Sequence, residues 1–109
     1  MRFRVEMTAG AHADLDRLMT ALEERSSPEA ADRLSARFHA ALDRLESRPF
    51  SCGLAYENRH FPEEVRNLLF AIRKGKPYRA LFVVRGDAVT ILCISAPGEK
   101  PVKPEDVGL

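Results

Sequence analysis

Apolar and polar residues alternate at the start of the chain, where Phe3, Val5 and Met7 are interleaved with Arg2, Arg4 and Glu6. A period of two marks a strand with one buried face. The period then lengthens. Leu15, Leu18, Met19 and Leu22 follow the i, i+3, i+4, i+7 spacing of an amphipathic helix, with Asp14, Asp16, Arg17, Glu23 and Glu24 mostly elsewhere on the wheel. Thr8 is placed to cap it. Ser26-Ser27-Pro28-Glu29 ends this helix and begins another. Ser27 suits the N-cap, Pro28 has no N–H to lose at the first helical position, and Glu29 complements the positive end of the dipole. Ala31, Leu34, Phe38, Ala41, Leu42 and Leu45 carry the helical period to about Ser47. Two helices joined so closely must fold back as a hairpin.

Arg48-Pro49 stops the second helix, and residues 49–64 read as a long irregular connection containing Gly53 and Pro62. Connections of that length in small domains are functional or loosely held. Three apolar runs follow, over residues 65–72, 78–85 and 88–95. Gly75-Lys76-Pro77 separates the first two. Gly86-Asp87 separates the others and is a two-residue hairpin signal, with Gly at the first central position of a type II′ turn. The prolines and glycines from Ala96-Pro97-Gly98 onward predict a tail without a regular helix, flexible over about residues 97–109.

The order β-α-α-β-β-β predicts an α+β two-layer fold, a helical hairpin packed on one face of a small, mostly antiparallel sheet. Leu15, Leu18, Leu22, Leu34, Phe38, Leu42 and Leu45 are expected to face the sheet, over Phe3, Val5, Phe82 and Ile91 or Leu92. The opposite face is expected to stay at least partly open and to carry any ligand surface.

A length of 109 residues sits at the modal domain size, so residues 1–109 are read as a single domain. With 45% apolar and 30% charged residues, disordered and low-complexity classes are excluded. No apolar run approaches the roughly 18 residues a membrane span needs, and Met-Arg-Phe-Arg-Val-Glu lacks a signal peptide's apolar core, so a cytosolic protein without a membrane partner is expected. Cys52 and Cys93 are read as reduced and structural. His12, His39 and His60 have no ligand spacing with either cysteine, so no metal is expected. P-loop, G-x-G-x-x-G, G-x-S-x-G and H-E-x-x-H motifs are all missing, and no cofactor is expected.

Charge changes the picture. Residues 1–64 carry nine basic and twelve acidic side chains, whereas residues 65–109 carry eight basic and four acidic, so a net charge of +1 conceals a cationic C-terminal part. Arg66, Arg73, Lys74, Lys76, Arg79 and Arg85 lie in a stretch without an acid. Guanidinium forks and ammonium groups suit phosphate oxygens, and Tyr78 or Phe61 would offer a base a stacking face. The plainer alternative is a solvated hairpin loop whose cations protect an edge strand.

Tyr78-Arg79 leading an apolar strand, the Gly86-Asp87 turn and the closing strand Val89 to Ile94, after Val65 to Phe70 and Arg73-Lys74-Gly75-Lys76, resemble the RelE/ParE superfamily of bacterial type II toxin–antitoxin toxins. The element order agrees over nearly the whole chain. The resemblance implies a toxin neutralised by a cognate antitoxin protein in a hetero-oligomer. RelE-like members enter the ribosome and cleave mRNA without a metal, using basic side chains; ParE-like members bind DNA gyrase instead.

On the nuclease reading, Arg79 corresponds to the family arginine and is the main phosphate-stabilising group, with Arg73 and Lys74 as further catalytic residues. Arg66, Lys76, Tyr78, Arg85 and Lys100 would hold RNA. Arg79, near a strand end, is expected to add little to stability. The ending Ser95-Ala96-Pro97-Gly98-Glu99-Lys100 departs from the nuclease pattern, since no histidine or tyrosine follows and an unperturbed lysine is a poor proton donor near pH 7. The competing readings are a gyrase-binding or catalytically silent toxin of the same fold, and a small interaction domain whose basic hairpin docks a partner.

Overall fold

In the computed structural model, which describes residues 2–109, the elements follow in the order the periodicities predict. β1 spans Arg4–Met7, α1 Ala9–Arg25, α2 Pro28–Ser47, β2 Arg66–Phe70, β3 Tyr78–Arg85 and β4 Ala88–Ser95. Both helices begin where a side-chain oxygen replaces a missing acceptor. The Thr8 hydroxyl accepts from the Ala11 N–H at 3.0 Å, and Ser27 does the same for Ala30 at 3.1 Å.

The sheet runs β1-β4-β3-β2, with β1 parallel to β4 and the other pairs antiparallel. Gly86 has φ +62° while no described non-glycine residue has positive φ, which fits a type II′ turn and excludes type I′. The β3–β4 register shifts once. Leu81 faces Cys93 and Phe82 faces Ile91, leaving Leu92 as the extra residue of a bulge. Ile91 and Ile94 therefore join the helix side, while the neighbours Leu92 and Cys93 both join the other. Thr8 pins this bulge, donating its hydroxyl to the Leu92 carbonyl at 3.1 Å and its N–H to that of Ile91 at 3.1 Å. One residue thus caps α1 and selects Ile91 over Leu92 for the helix face.

On that face Leu15, Leu18, Leu22, Leu34, Phe38 and Leu45 are buried with Phe82, Val89 and Ile91, while Leu42, Phe3 and Val5 pack at the margin. Phe70 lies between Phe38 and Tyr78, with ring centroids 5.2 and 5.7 Å away. Each such burial contributes about 1.5–3 kcal/mol.

The opposite face is not open as expected. Leu81, Val83, Leu92 and Cys93 are covered by Ala55, Val65, Phe61, Val102 and Val107. The reason lies in β3, whose Ala80-Leu81-Phe82-Val83 run is apolar on both faces and therefore needs two covers. The connection supplies part of the second cover. It contains 3₁₀ turns at Pro49–Ser51 and Tyr56–His60, and Leu54 bridges Arg66 at the edge of β2. The tail supplies the rest. No α-helix follows β4, but residues 97–109 fold back against this face with a 3₁₀ turn at Pro104–Val107 rather than hanging free.

Candidate functional site

Arg79 opens β3, and the strand alternation turns its side chain to the irregular face, toward the Tyr56–His60 turn. There its fork meets Glu57. Nη1 donates to Oε1 at 2.9 Å and Nη2 to Oε2 at 2.7 Å. Glu57 is only 2% exposed, and its Oε2 also accepts the Val102 N–H at 3.0 Å. Nη1 reaches Asn67 Oδ1 at 3.4 Å, Nη2 reaches the Tyr56 hydroxyl at 3.3 Å, and the guanidinium lies 4.7 Å from the Tyr56 ring centroid. Burial pushes the Glu57 carboxyl up, but hydrogen bonds from Arg79 and Val102, with the Arg79 charge, outweigh it and hold the group below the usual carboxylate range. The hydrogen bond to Glu57 in turn raises Arg79 against the opposing effect of its own burial.

The sequence expectation gave Arg79 a free fork for phosphate and little part in stability. Its fork is already engaged by a buried carboxylate, and it ties β3, the connection and the tail together. Glu57 went unnoticed in the sequence, although it is the sole acid between Glu46 and Glu63.

The other basic residues do not form one surface. Arg66 sits on the helix side, donating to the Cys52 carbonyl at 2.6 Å and pairing with Glu64 at 2.7 Å. Its guanidinium lies 5.4 Å from the Phe50 ring centroid. Arg85 pairs with Glu63, Nε to Oε2 at 3.1 Å. Tyr78 is 4% exposed and stacked on Phe70, so its ring lacks the free face expected for a base, while Phe61 packs half-buried against the second core. Lys100 lines a pocket of about 350 Å³ that adjoins the Arg79 cluster, sharing Tyr56 and Glu57 with it.

Arg73, Lys74 and Lys76 are exposed on the β2–β3 loop and form no ion pair among the described residues. Arg73 and Lys76 line a cleft of about 520 Å³, which also takes in Arg25 and Arg33 from the α1–α2 hairpin. Arg25 and Arg33 carried no signal in the sequence. They flank the helix break and meet the loop only through the packing of hairpin on sheet.

The thiols are inert by their surroundings. Burial, with the nearby Asp14 and Glu57 carboxylates, pushes Cys93 up to about 12, and burial likewise raises Cys52. The described residues contain no cluster of three or more histidine, cysteine or acidic groups able to hold a metal, and no described helix is long and apolar enough to cross a membrane.

Residues 5–97 match the family model described as "ParE toxin of type II toxin-antitoxin system, parDE". The chain belongs to the ParE toxin family. Among solved structures it is similar to a chain of the chromosomal ParDE toxin–antitoxin system from P. aeruginosa, with 25% identity and a TM-score of 0.70. That match covers 88% of this chain and 97% of the other. Comparison with curated protein sequences gives no match. Membership of the ParE family agrees with the helical hairpin on a four-stranded sheet and with the superfamily that the Tyr78-Arg79 hairpin resembles.

Proposed function

We propose that this ParE-family protein arrests growth in the cytosol by binding a protein target, DNA gyrase, and that a cognate antitoxin neutralises it in a hetero-oligomer. The observation that carries this reading is the bidentate Arg79–Glu57 pair. A phosphate-stabilising arginine must present its donors to the developing charge. Arg79 presents them to a buried carboxylate, and taking it from that partner leaves an uncompensated charge inside the protein. The tail argues the same way. Its Val102 N–H is committed to Glu57, and the segment after β4 brings no histidine or tyrosine as proton donor.

Ribosome-dependent mRNA cleavage is the second reading, and it retains the exposed Arg73, Lys74 and Lys76 as its support. Two assays on the purified protein separate the two. Inhibition of gyrase supercoiling, with intact mRNA in cell-free translation read by primer extension, is the expected result. Cleavage at codon positions with unaffected supercoiling would reverse the assignment. Co-expression with a cognate antitoxin should relieve growth arrest and yield a tight complex.

A further inference from the structure

Six of the thirteen arginines form ion pairs among the described residues. Arg2 pairs with Glu46, Arg4 with Glu6 and Asp87, Arg17 with Asp14 and Glu99, Arg66 with Glu64, Arg79 with Glu57 and Arg85 with Glu63. The cleft between the α1–α2 turn and the β2–β3 loop gathers several cations that lie outside those pairs. Arg25, Arg33, Arg73 and Lys76 all line it, no acidic residue does, and none of the four forms an ion pair among the described residues. Four like charges around one concavity repel one another, so an anion entering it gains attraction and relieves that repulsion.

The floor decides which anion. Leu22 and Ala30 are buried there, Ile72 is half-buried, and Ala96 and Pro97 form one wall. The only aromatic ring in the lining, Tyr78, is buried and stacked on Phe70, so the cleft has no ring face on which a base could stack. Single-stranded nucleic acid would therefore find charge but no platform. A peptide finds both complements: carboxylates for the rim and an aliphatic side chain for the floor. A volume of about 520 Å³ accommodates a few side chains and not a domain.

We infer that the cleft rimmed by Arg25, Arg33, Arg73 and Lys76 is a docking site for an acidic peptide segment of a protein partner, carboxylates on the rim and an aliphatic side chain on the floor. The site lies on the helix side of the sheet, whereas Arg79 projects to the other side. It stands whichever target the protein arrests.

The test is a titration of the full chain, followed by amide resonances, with the acetylated and amidated peptide Glu-Leu-Glu-Glu-Leu. The same peptide with lysine for glutamate and a pentathymidylate serve as comparisons. Saturable shifts centred on Ala30, Ile72, Tyr78 and Ala96 are expected for the acidic peptide alone, weakening at high salt. The pair Arg33→Glu and Arg73→Glu should lower that affinity at least tenfold. Because charge reversal can itself perturb folding, Arg25→Gln with Lys76→Gln provides an independent check, with a smaller loss expected and a thermal melt confirming the fold of each variant. Lys103→Ala should bind as the parent does. No binding of the acidic peptide, undiminished binding by the folded charge variants, or tighter binding of the pentathymidylate with the same shifts would each overturn the proposal, the last in favour of a nucleic-acid cleft.

Discussion

Arg79→Ala should unfold this protein far more easily than truncation of an ordinary surface arginine. The substitution strands the Glu57 carboxylate, whose side chain is 1% exposed, with the Val102 N–H as its main remaining donor. Breaking a buried pair from one side typically costs about 3–5 kcal/mol. The lower part of that range applies, because the Arg79 side chain retains 15% exposure and water enters where it leaves. Protonation sets an independent ceiling: neutralising a carboxyl of pKa about 4.3 at pH 7 costs about 3.7 kcal/mol. A loss of about 3 kcal/mol is therefore expected, read as a fall in urea midpoint at unchanged slope and as a drop in melting temperature of roughly 10–20 °C. Arg79→Met combined with Glu57→Met should recover much of the loss, since an apolar pair leaves no buried charge. If Arg79→Ala unfolds within about 1 kcal/mol of the parent at pH 7, the pair does not support the fold. Arg79 would then be free for the phosphate chemistry that the nuclease reading requires.

The same pair predicts an acid response. Since Glu57 is depressed in the folded state, its contribution is complete well above the unfolded value of about 4.3 and is lost as the pH falls through the folded value. The stability gap between the parent and Glu57→Gln should therefore narrow as the pH falls below the unfolded value of about 4.3, and a gap that widens on acidification would contradict the assignment. Neither thiol should react with a disulfide reagent at pH 8 in the native state, while both should react in urea; fast native labelling of Cys93 would show that its face of the sheet is uncovered. Gly86→Ala should cost about 1 kcal/mol or more, because φ at +62° is unfavourable for a residue with a Cβ even though open space surrounds it. Unchanged stability in chemical denaturation would mean that the turn relaxes to another type.

Elements were the most legible part of the chain. Thr8 and Ser27 as caps, the helical stripes through Leu45 and the Gly86-Asp87 turn all depend on neighbours within a few residues, and local periodicity reports such neighbours directly. The candidate site was less legible for the same reason. Glu57 is 22 residues from Arg79, and Val102 is 45 from Glu57. Nothing in a 3₁₀ turn or in a proline-rich tail announces that two such segments will share a strand's outer face.

Six cations in a stretch without acids looked like one surface because charge along a chain is one-dimensional. The pleat of the sheet divides them, sending Arg79 to the irregular face and Arg66 to the helix side, where each finds an acid from the connection. Arg73 and Lys76 keep their charge uncompensated because the loop carries them beyond the sheet, to meet Arg25 and Arg33 from the helix hairpin.

The sequence by itself determined the order of elements, the α+β class, the apolar stripe of each helix and the superfamily carried by the Tyr78-Arg79 hairpin. Only the tertiary structure decided which arginines are engaged and which are free. Backbone periodicity is written in spacings of two to four residues, whereas the partner of a charge is set by chain closure over dozens of residues and by which face of the sheet each side chain leaves.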